Sequence, residues 1–235
     1  MSYYENPVPP QPNPYAAYPY QDSRAPRGLA IASAILAGAI ALCQLGAGLT
    51  APAAADAYAR AAENGQPTIN VFTAYDAFVI VVFLPLIAAY IVTCVWLMKS
   101  RNLLEQRVPS SHQARGKVWV WLGWWVPIVS LWFPLQVVRD IRKGSLGSVM
   151  VGGGILAGWW ASWLIYQIGS QISGGMSGGS DVSDPSTFDA LPWIEGVNTI
   201  VVLIALACWL GIIRQITRGQ EALLATPAGS APAGF

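Results

Sequence analysis

Five long apolar runs, separated by short segments that hold nearly all the charged residues, dominate this 235-residue chain. Apolar residues make up 54% of the sequence and charged residues only 11%, whereas soluble chains carry about 25% charged residues. Runs of about 20 apolar residues match the thickness of the hydrocarbon core of a bilayer. We therefore expect an all-α integral membrane protein, because helices satisfy their own backbone hydrogen bonds in lipid.

Four of the runs have the length and composition of spanning helices. They cover residues 28–50, 77–98, 149–171 and 196–213. The first run is too long for the core of a cleaved signal peptide, which has about 7–15 residues, so we interpret it as an anchor. Beyond Pro52, the sequence predicts a separate short helix that ends at Asn64 and Gly65.

Small residues recur at helix-packing intervals in two of these runs. Ala30, Ala34 and Gly38 lie four residues apart in the first run, and Gly154 and Gly158 form a GxxxG pair in the fourth. Such spacing allows two helix backbones to approach closely. It predicts tight helix packing, and it leaves a homo-oligomer open as an alternative use.

The third run, residues 118–138, differs in kind from the others. Its 21 uncharged residues include five of the eleven tryptophans, and tryptophan prefers the membrane interface. Pro127 and Pro134 each remove a backbone donor and favour a break in the helix. We expect a re-entrant or interfacial segment here. The alternative is a kinked fifth span, because 21 helical residues extend about 31 Å, which is enough to cross.

The distribution of basic residues predicts the orientation, because Lys and Arg beside membrane segments stay in the cytoplasm. With four spans and a re-entrant third run, twelve of the thirteen basic residues lie on one side, and only Arg60 lies on the other. A fifth span disturbs this division. We therefore expect a multi-pass protein of the plasma membrane with both termini in the cytoplasm.

Both ends of the chain have the composition of flexible tails. Residues 1–27 hold seven of the seventeen prolines and five of the nine tyrosines without apolar periodicity, which predicts disorder. This tail could dock protein partners, although a simple solvated tether is the preferred interpretation. A small-residue tail covers 223–235, and the helical membrane domain lies between the tails at 28–222.

The sequence contains no arrangement of residues typical of catalysis or cofactor binding. His112 is the one histidine, and no HExxH, GxSxG or phosphate-loop motif occurs. Cys43, Cys94 and Cys208 each lie alone in an apolar run, so neither a disulfide nor a metal site is expected. We expect no enzyme activity, no cofactor and no nucleic-acid partner; the lipid bilayer is the expected environment.

Two groups of acidic residues leave alternatives open. Asp181, Asp184 and Asp189 lie in a Gly/Ser-rich loop that lacks the EF-hand calcium pattern, so a solvated loop is the preferred interpretation. Asp76 and Glu195 lie at the outer ends of two predicted spans. They are either ordinary charges at helix N-termini or a paired extracellular gate or cation site, and the first is preferred.

Three stretches suggest a family: WLMKSRNLLEQ, GWWVPIVSLWFPLQVVRDI and IRQITRGQ. Over residues 28–222 the chain resembles a family of actinobacterial membrane proteins catalogued as domain of unknown function 4328. The positions that match its pattern are Arg101, Asn102, Trp124, Pro127, Pro134, Arg139, Asp140 and Gln220. Ser130 stands where the family pattern has asparagine, which puts any amide-dependent function in doubt. The resemblance implies a membrane location and a central motif, and it implies no activity.

Two functional hypotheses follow from these observations. The first is a noncatalytic membrane scaffold or interaction protein, which is favoured because no catalytic group is found. The second is a small transporter or lipid-handling protein with its site at the broken segment between Pro127 and Pro134, because broken helices line such sites in known transporters. In that case Trp124, Trp125 and Trp132 could hold an acyl chain or a cation.

Overall fold

A computed structural model describes residues 24–108, 110–147, 153–179 and 184–226 of the chain. These residues are mainly helical and include no β-strand, so the all-α prediction is confirmed. The expectations for the N-terminal tail up to residue 23, for Asp181 and for the C-terminal tail beyond residue 226 concern positions outside the described residues.

Seven α-helices follow one another along the described part of the chain. They are α1 (Arg27–Glu63), α2 (Ala74–Val81), α3 (Phe83–Arg107), α4 (Trp119–Leu122), α5 (Phe133–Leu146), α6 (Gly154–Ser177) and α7 (Leu191–Ala225). Short 3₁₀ helices cover Thr68–Asn70, Val129–Leu131 and Pro185–Ala190.

The long helices α1, α3, α6 and α7 form an antiparallel bundle. At the start of α1, Arg27 Nη1 lies 4.0 Å from Oε1 of Glu221 at the end of α7. A shallow groove at the start of α1 is also lined by Lys99 of α3. At the start of α6, Ile155 lies beside Gly211 of α7. We call this end of the bundle, which holds Arg27 and Lys99, the basic end.

The first helix is longer than the sequence predicts. It continues without interruption through Pro52 to Glu63, so the expectation of a separate short helix beyond Pro52 is wrong. Asn64 caps the end of the helix, and the next residue, Gly65, has a φ of +70°, a conformation that glycine adopts without steric cost. Its buried face is made mainly of small residues, namely Ala30, Ser33, Ala41, Ala47, Ala51, Ala54 and Ala55.

The second predicted span is divided into two helices. A break at Val82 separates α2 from α3, although Ala74–Arg107 forms one apolar stretch of 34 residues. Pro85 lies just beyond the break, and its missing N–H leaves the carbonyl of Val81 without its helical donor. The break is therefore the local response to this proline.

Among the described residues, three stretches are long and apolar enough to cross a membrane, namely Arg27–Glu63, Ala74–Arg107 and Pro185–Ala225. The predicted fourth span falls on α6, which has 24 residues and a second half rich in Gly, Ser and Gln. Large apolar side chains face outward on the long helices; Leu49 and Leu84, for example, are each 74% exposed. Such surfaces suit lipid rather than water, and they indicate a membrane protein.

The buried core is divided between the two ends of the bundle. Near the basic end, Trp209 stacks on Trp159 with ring centroids 5.0 Å apart and meets Trp96 edge-on at 5.8 Å. At the opposite end, Tyr58 packs against Phe188 with centroids 5.6 Å apart. The aromatic core at the basic end is the platform on which the third apolar run rests.

Candidate functional site

The third apolar run does not form a single helix. We call residues 117–139 the aromatic hairpin; they form α4, a turn, the 3₁₀ helix Val129–Leu131 and the start of α5. At the turn, Ile128 has a φ of 68°, and the N–H of Val129 donates to the carbonyl of Pro127 at 2.7 Å. This is a γ-turn with a positive φ, which is a strained conformation for a β-branched residue.

Hydrogen bonds join the segment just before the aromatic hairpin to the segment where the chain leaves it. Arg115 Nε donates to Gln136 Oε1 at 2.7 Å, and the N–H of Ala114 donates to Asp140 Oδ2 at 2.9 Å. The chain therefore leaves the hairpin close to where it entered. The described residues do not form the continuous kinked helix that the five-span alternative requires.

Side chains of the bundle satisfy the irregular backbone of the aromatic hairpin. The Tyr90 hydroxyl donates to the carbonyl of Trp121 at 3.0 Å, and Trp160 Nε1 donates to the carbonyl of Leu131 at 2.8 Å. Unpaired backbone groups are costly at membrane depth, so irregular segments are tolerated there only when protein or water covers them. The contacts with α3 and α6 provide that cover.

The aromatic hairpin has a packed inner face and an apolar outer face. Trp124 makes edge-on contacts with three tryptophans of α6, each at a centroid distance of 6.5 Å. On the outer face, Trp125 is 68% exposed and Ile128 69% exposed, and Leu131 and Trp132 are also exposed. The inner face therefore anchors the hairpin, while the outer face is available for contact.

Three further positions of the family pattern lie within the aromatic hairpin. Pro127 is exposed at the turn, and Ser130 is half-buried, with its backbone N–H donating to the carbonyl of Val126 at 2.9 Å. Pro134 is buried as the second residue of α5, a position where a helix does not need the missing donor. These residues shape the backbone of the hairpin.

Arg101 and Asp140 hold the same loop from two sides. The Arg101 side chain is 9% exposed, and its Nη1 donates to the carbonyl of Arg115 at 2.6 Å. The Asp140 carboxylate accepts a hydrogen bond from the N–H of Ala114, the residue before Arg115, and it also pairs with Arg139 Nε at 3.2 Å. The structure therefore brings these three positions of the pattern together as a clamp on the loop that enters the aromatic hairpin.

The two amide residues of the pattern have no comparable role. Asn102 lies next to Arg101 on α3, and Gln220 lies fully buried near the end of α7. Among the described residues, neither Asn102 Oδ1 nor the Gln220 amide atoms have a hydrogen-bond partner. Nothing in the structure explains their presence in the pattern.

The remaining polar candidates have ordinary surroundings. His112 is exposed in the loop before the aromatic hairpin, and the three cysteines are free thiols. Within the described ranges, no three His, Cys, Asp or Glu residues are grouped to hold a metal ion. Asp184 caps the short helix Pro185–Ala190 and accepts hydrogen bonds from the N–H and hydroxyl of Ser186. These bonds hold the pKa of the exposed Asp184 carboxyl below its usual value.

Asp76 and Glu195 do not form a pair in the structure. Asp76 belongs to a capping box with Thr73 at the start of α2, and its Oδ1 accepts from the Tyr58 hydroxyl at 2.6 Å. The structure therefore gives Asp76 the helix-terminal role that the sequence favours.

Glu195 has a different environment from the one its sequence position suggests. It is 3% exposed and lies in the second turn of α7, beyond the unpaired N–H groups of the first turn. Gln44 and Tyr75 donate hydrogen bonds to its two carboxylate oxygens. The sequence singles out Glu195 only as a possible partner of Asp76, and it does not predict that Gln44 and Tyr75 surround this carboxylate.

The fold and the site together define an all-helical protein with membrane-type helices and a clamped aromatic hairpin. The model of the family described as Domain of unknown function (DUF4328) matches residues 68–218. This is more than half of the chain, and the chain belongs to this family. The match leaves out α1 and Gln220, which the resemblance over 28–222 included. No curated protein and no solved structure matched the chain.

Proposed function

We propose that this chain is a noncatalytic integral membrane protein that acts as a scaffold for another membrane protein or for a second copy of itself. The aromatic hairpin is the observation that carries the proposal. Two of its backbone carbonyls accept hydrogen bonds from α3 and α6. Its apolar outer face includes Ile128 and Trp125, which stay largely exposed although Trp125 meets Tyr90 of α3 edge-on at 5.4 Å. A surface whose backbone is held by the bundle can bind a partner at a low cost in ordering.

The arrangement of polar side chains supports a noncatalytic role. Arg101 and Asp140 bond to backbone groups of Arg115 and Ala114. They also pair with the charged side chains of Glu105 and Arg139, respectively. Groups used in this way stabilise a loop and are not free to transfer protons or to activate a nucleophile. The chemistry of the clamp is therefore that of a structural element.

We further propose a four-span topology in which α1, the α2–α3 pair, α6 and α7 cross the plasma membrane. The antiparallel course of these helices supports it, with α6 as the fourth span. The basic end holds Arg27, Lys99, Arg101 and Arg115, and the tendency of such residues to stay inside favours the cytoplasm for this end. The aromatic hairpin is then re-entrant from the cytoplasmic side, and both termini are cytoplasmic.

Labelling of single cysteines tests the topology. In a variant that lacks Cys43, Cys94 and Cys208, one cysteine is inserted after Lys143, after Ser180 or after Ala225. We expect an impermeant maleimide to label intact cells only at the position after Ser180, because four spans place that loop outside. Labelling after Lys143 or Ala225 in intact cells would contradict the topology, and full labelling in lysed cells serves as the control for reactivity.

Photo-crosslinking tests the scaffold role. A benzoylphenylalanine at Trp125 is expected to give one discrete protein adduct in membranes, either with a partner or with a second copy. The matched control is the same group at Ile31, an apolar residue of α1 that is 50% exposed; it is expected to give lipid adducts only, because exposed apolar residues of spanning helices face lipid.

The alternative hypothesis of a transporter or lipid-handling protein predicts a different result. Lipid adducts alone at Trp125, together with saturable uptake of a solute by liposomes that contain the purified protein, would contradict the scaffold role. Variants at Trp124, Trp125 and Ser130 would then show whether the site lies at the aromatic hairpin.

A further inference from the structure

Three helices converge on the buried carboxylate of Glu195, at the end of the bundle opposite the basic end. Gln44 Nε2 on α1 donates to Glu195 Oε2 at 2.6 Å. The Tyr75 hydroxyl on α2 donates to Glu195 Oε1 at 3.0 Å. The donors come from different helices, so the cluster exists only in the folded bundle.

The carboxylate of Glu195 has no positive partner within the described residues. Both of its hydrogen-bond donors are neutral, and every ion pair found there involves other acidic residues. A buried charge is costly in an apolar environment unless an opposite charge accompanies it. A small cation bound beside Glu195 would supply that charge.

The structure has room for such a cation. A cavity of about 60 Å³ lies beside Glu195, between α1, α2, α6 and α7. Its lining contains no Lys or Arg, and it includes the hydroxyl-bearing residues Tyr75, Tyr166, Ser170 and Ser173. One water needs only about 15 Å³ of such space, so the cavity can hold a small ion with water, and oxygen is the ligand that hard cations prefer.

We propose that Glu195 and this cavity form a binding site for a monovalent alkali cation. A single carboxylate balances a single positive charge, whereas a divalent ion would leave an uncompensated charge in the apolar interior. Gln44 can take part without moving its backbone, because rotation of its amide group presents an oxygen in place of the NH₂ group. Tyr75 and Ser173, which are 1% and 3% exposed, provide further buried oxygens.

The cation site is independent of the proposed scaffold function. It shares no residue with the aromatic hairpin, and its residues belong to α1, α2, α6 and α7. A cation bound there would connect α1, α2, α6 and α7 at the end of the bundle opposite the basic end. Its expected effect is therefore stabilisation of the bundle, because a ligand that binds only the folded state raises its stability.

Thermal unfolding of the full-length protein in detergent tests the site, with NaCl, KCl or LiCl replaced by choline chloride at constant ionic strength. We expect at least one alkali cation to raise the Tm by about 5 °C between 1 and 300 mM. Glu195→Gln, which keeps the shape and a hydrogen-bonding group, is expected to abolish the rise. Tyr75→Phe is expected to shift the midpoint to about tenfold higher concentration.

Asp76→Asn is the matched control, because Asp76 lies at the same end of the bundle but does not line the cavity. This variant is expected to keep the full response to the cation. An equal Tm in all four salts would overturn the proposal, as would an unchanged rise in Glu195→Gln. A Tm that responds to pH but to none of the alkali cations would also overturn it, because the carboxylate would then bind only a proton.

Discussion

Replacing Trp96 with alanine is expected to lower the free energy of unfolding by about 3–5 kcal/mol, as is usual for loss of a buried aromatic side chain. Trp96 is fully buried and meets Trp209 edge-on at 5.8 Å between ring centroids. Trp209 in turn stacks on Trp159, with ring centroids 5.0 Å apart. Loss of the Trp96 ring would therefore leave an empty space where α3, α6 and α7 meet. Unfolding in detergent, followed by near-UV circular dichroism, should show a Tm lower by about 10 °C.

The matched variant Trp96→Phe separates packing from hydrogen bonding. Trp96 Nε1 has no partner among the described residues, so phenylalanine keeps most of the buried ring and removes a donor that is not used. The expected cost is about 1 kcal/mol or less, because a buried unpaired donor is itself unfavourable. Equal losses for Trp96→Ala and Trp96→Phe would show that the indole N–H, and not ring packing, stabilises this core.

The second large effect is expected at Gly219, where α7 crosses α5. A methyl group built on Gly219 would overlap the backbone carbonyl of Ser145, which cannot move away as a flexible side chain would. Gly219→Ala is therefore expected to cost about 1–3 kcal/mol and to lower the Tm by about 5 °C. Limited proteolysis near Lys143 should become faster, because α5 would be displaced from the bundle.

Gly196→Ala is the control for this prediction. Gly196 also lies within α7, but no atom lies close to the position of an added methyl group. Alanine is a better helix former than glycine by about 1 kcal/mol, so the Tm of this variant is expected to stay the same or to rise. A fall in Tm for both variants would mean that α7 requires glycine for a reason other than close packing.

The sequence predicts the helical class and the broken third run because both follow from local chemistry. Hydropathy indicates the long apolar helices, and Pro127 and Pro134 remove donors at fixed positions. The turn found at Ile128 lies between these prolines. The break at Val82 is not predicted, because residues 77–98 are expected to form one span. Pro85, which removes a backbone donor, is the available signal.

Pro52 shows where local chemistry is not sufficient. The sequence predicts that the first helix ends there, yet α1 continues for another eleven residues to Glu63. Ala51 and Ala54 on either side are 0% and 1% exposed, so packing against the neighbouring helices holds this part of the chain in place. Such tertiary packing can outweigh the loss of one helical hydrogen bond, and no local pattern reports it.

The polar cluster around Glu195 also depends on contacts that the sequence does not reveal. Gln44 is 151 positions away from Glu195 along the chain, and Tyr75 is 120 positions away. Helix periodicity can show which face of a helix a residue occupies, but it does not show which helices become neighbours. The clamp of Arg101 and Asp140 on one loop was hidden for the same reason, although both residues were recognised from the family pattern.

The hydrogen bond from Trp160 to Leu131 has a consequence for biogenesis. The aromatic hairpin emerges from the ribosome before α6, yet the side chains that cover its backbone belong partly to α6. Since chains are synthesised from the N-terminus, the hairpin cannot reach its final packing while it is the newest part of the nascent chain. Its packing can therefore be completed only after α6 has been synthesised and has folded against it.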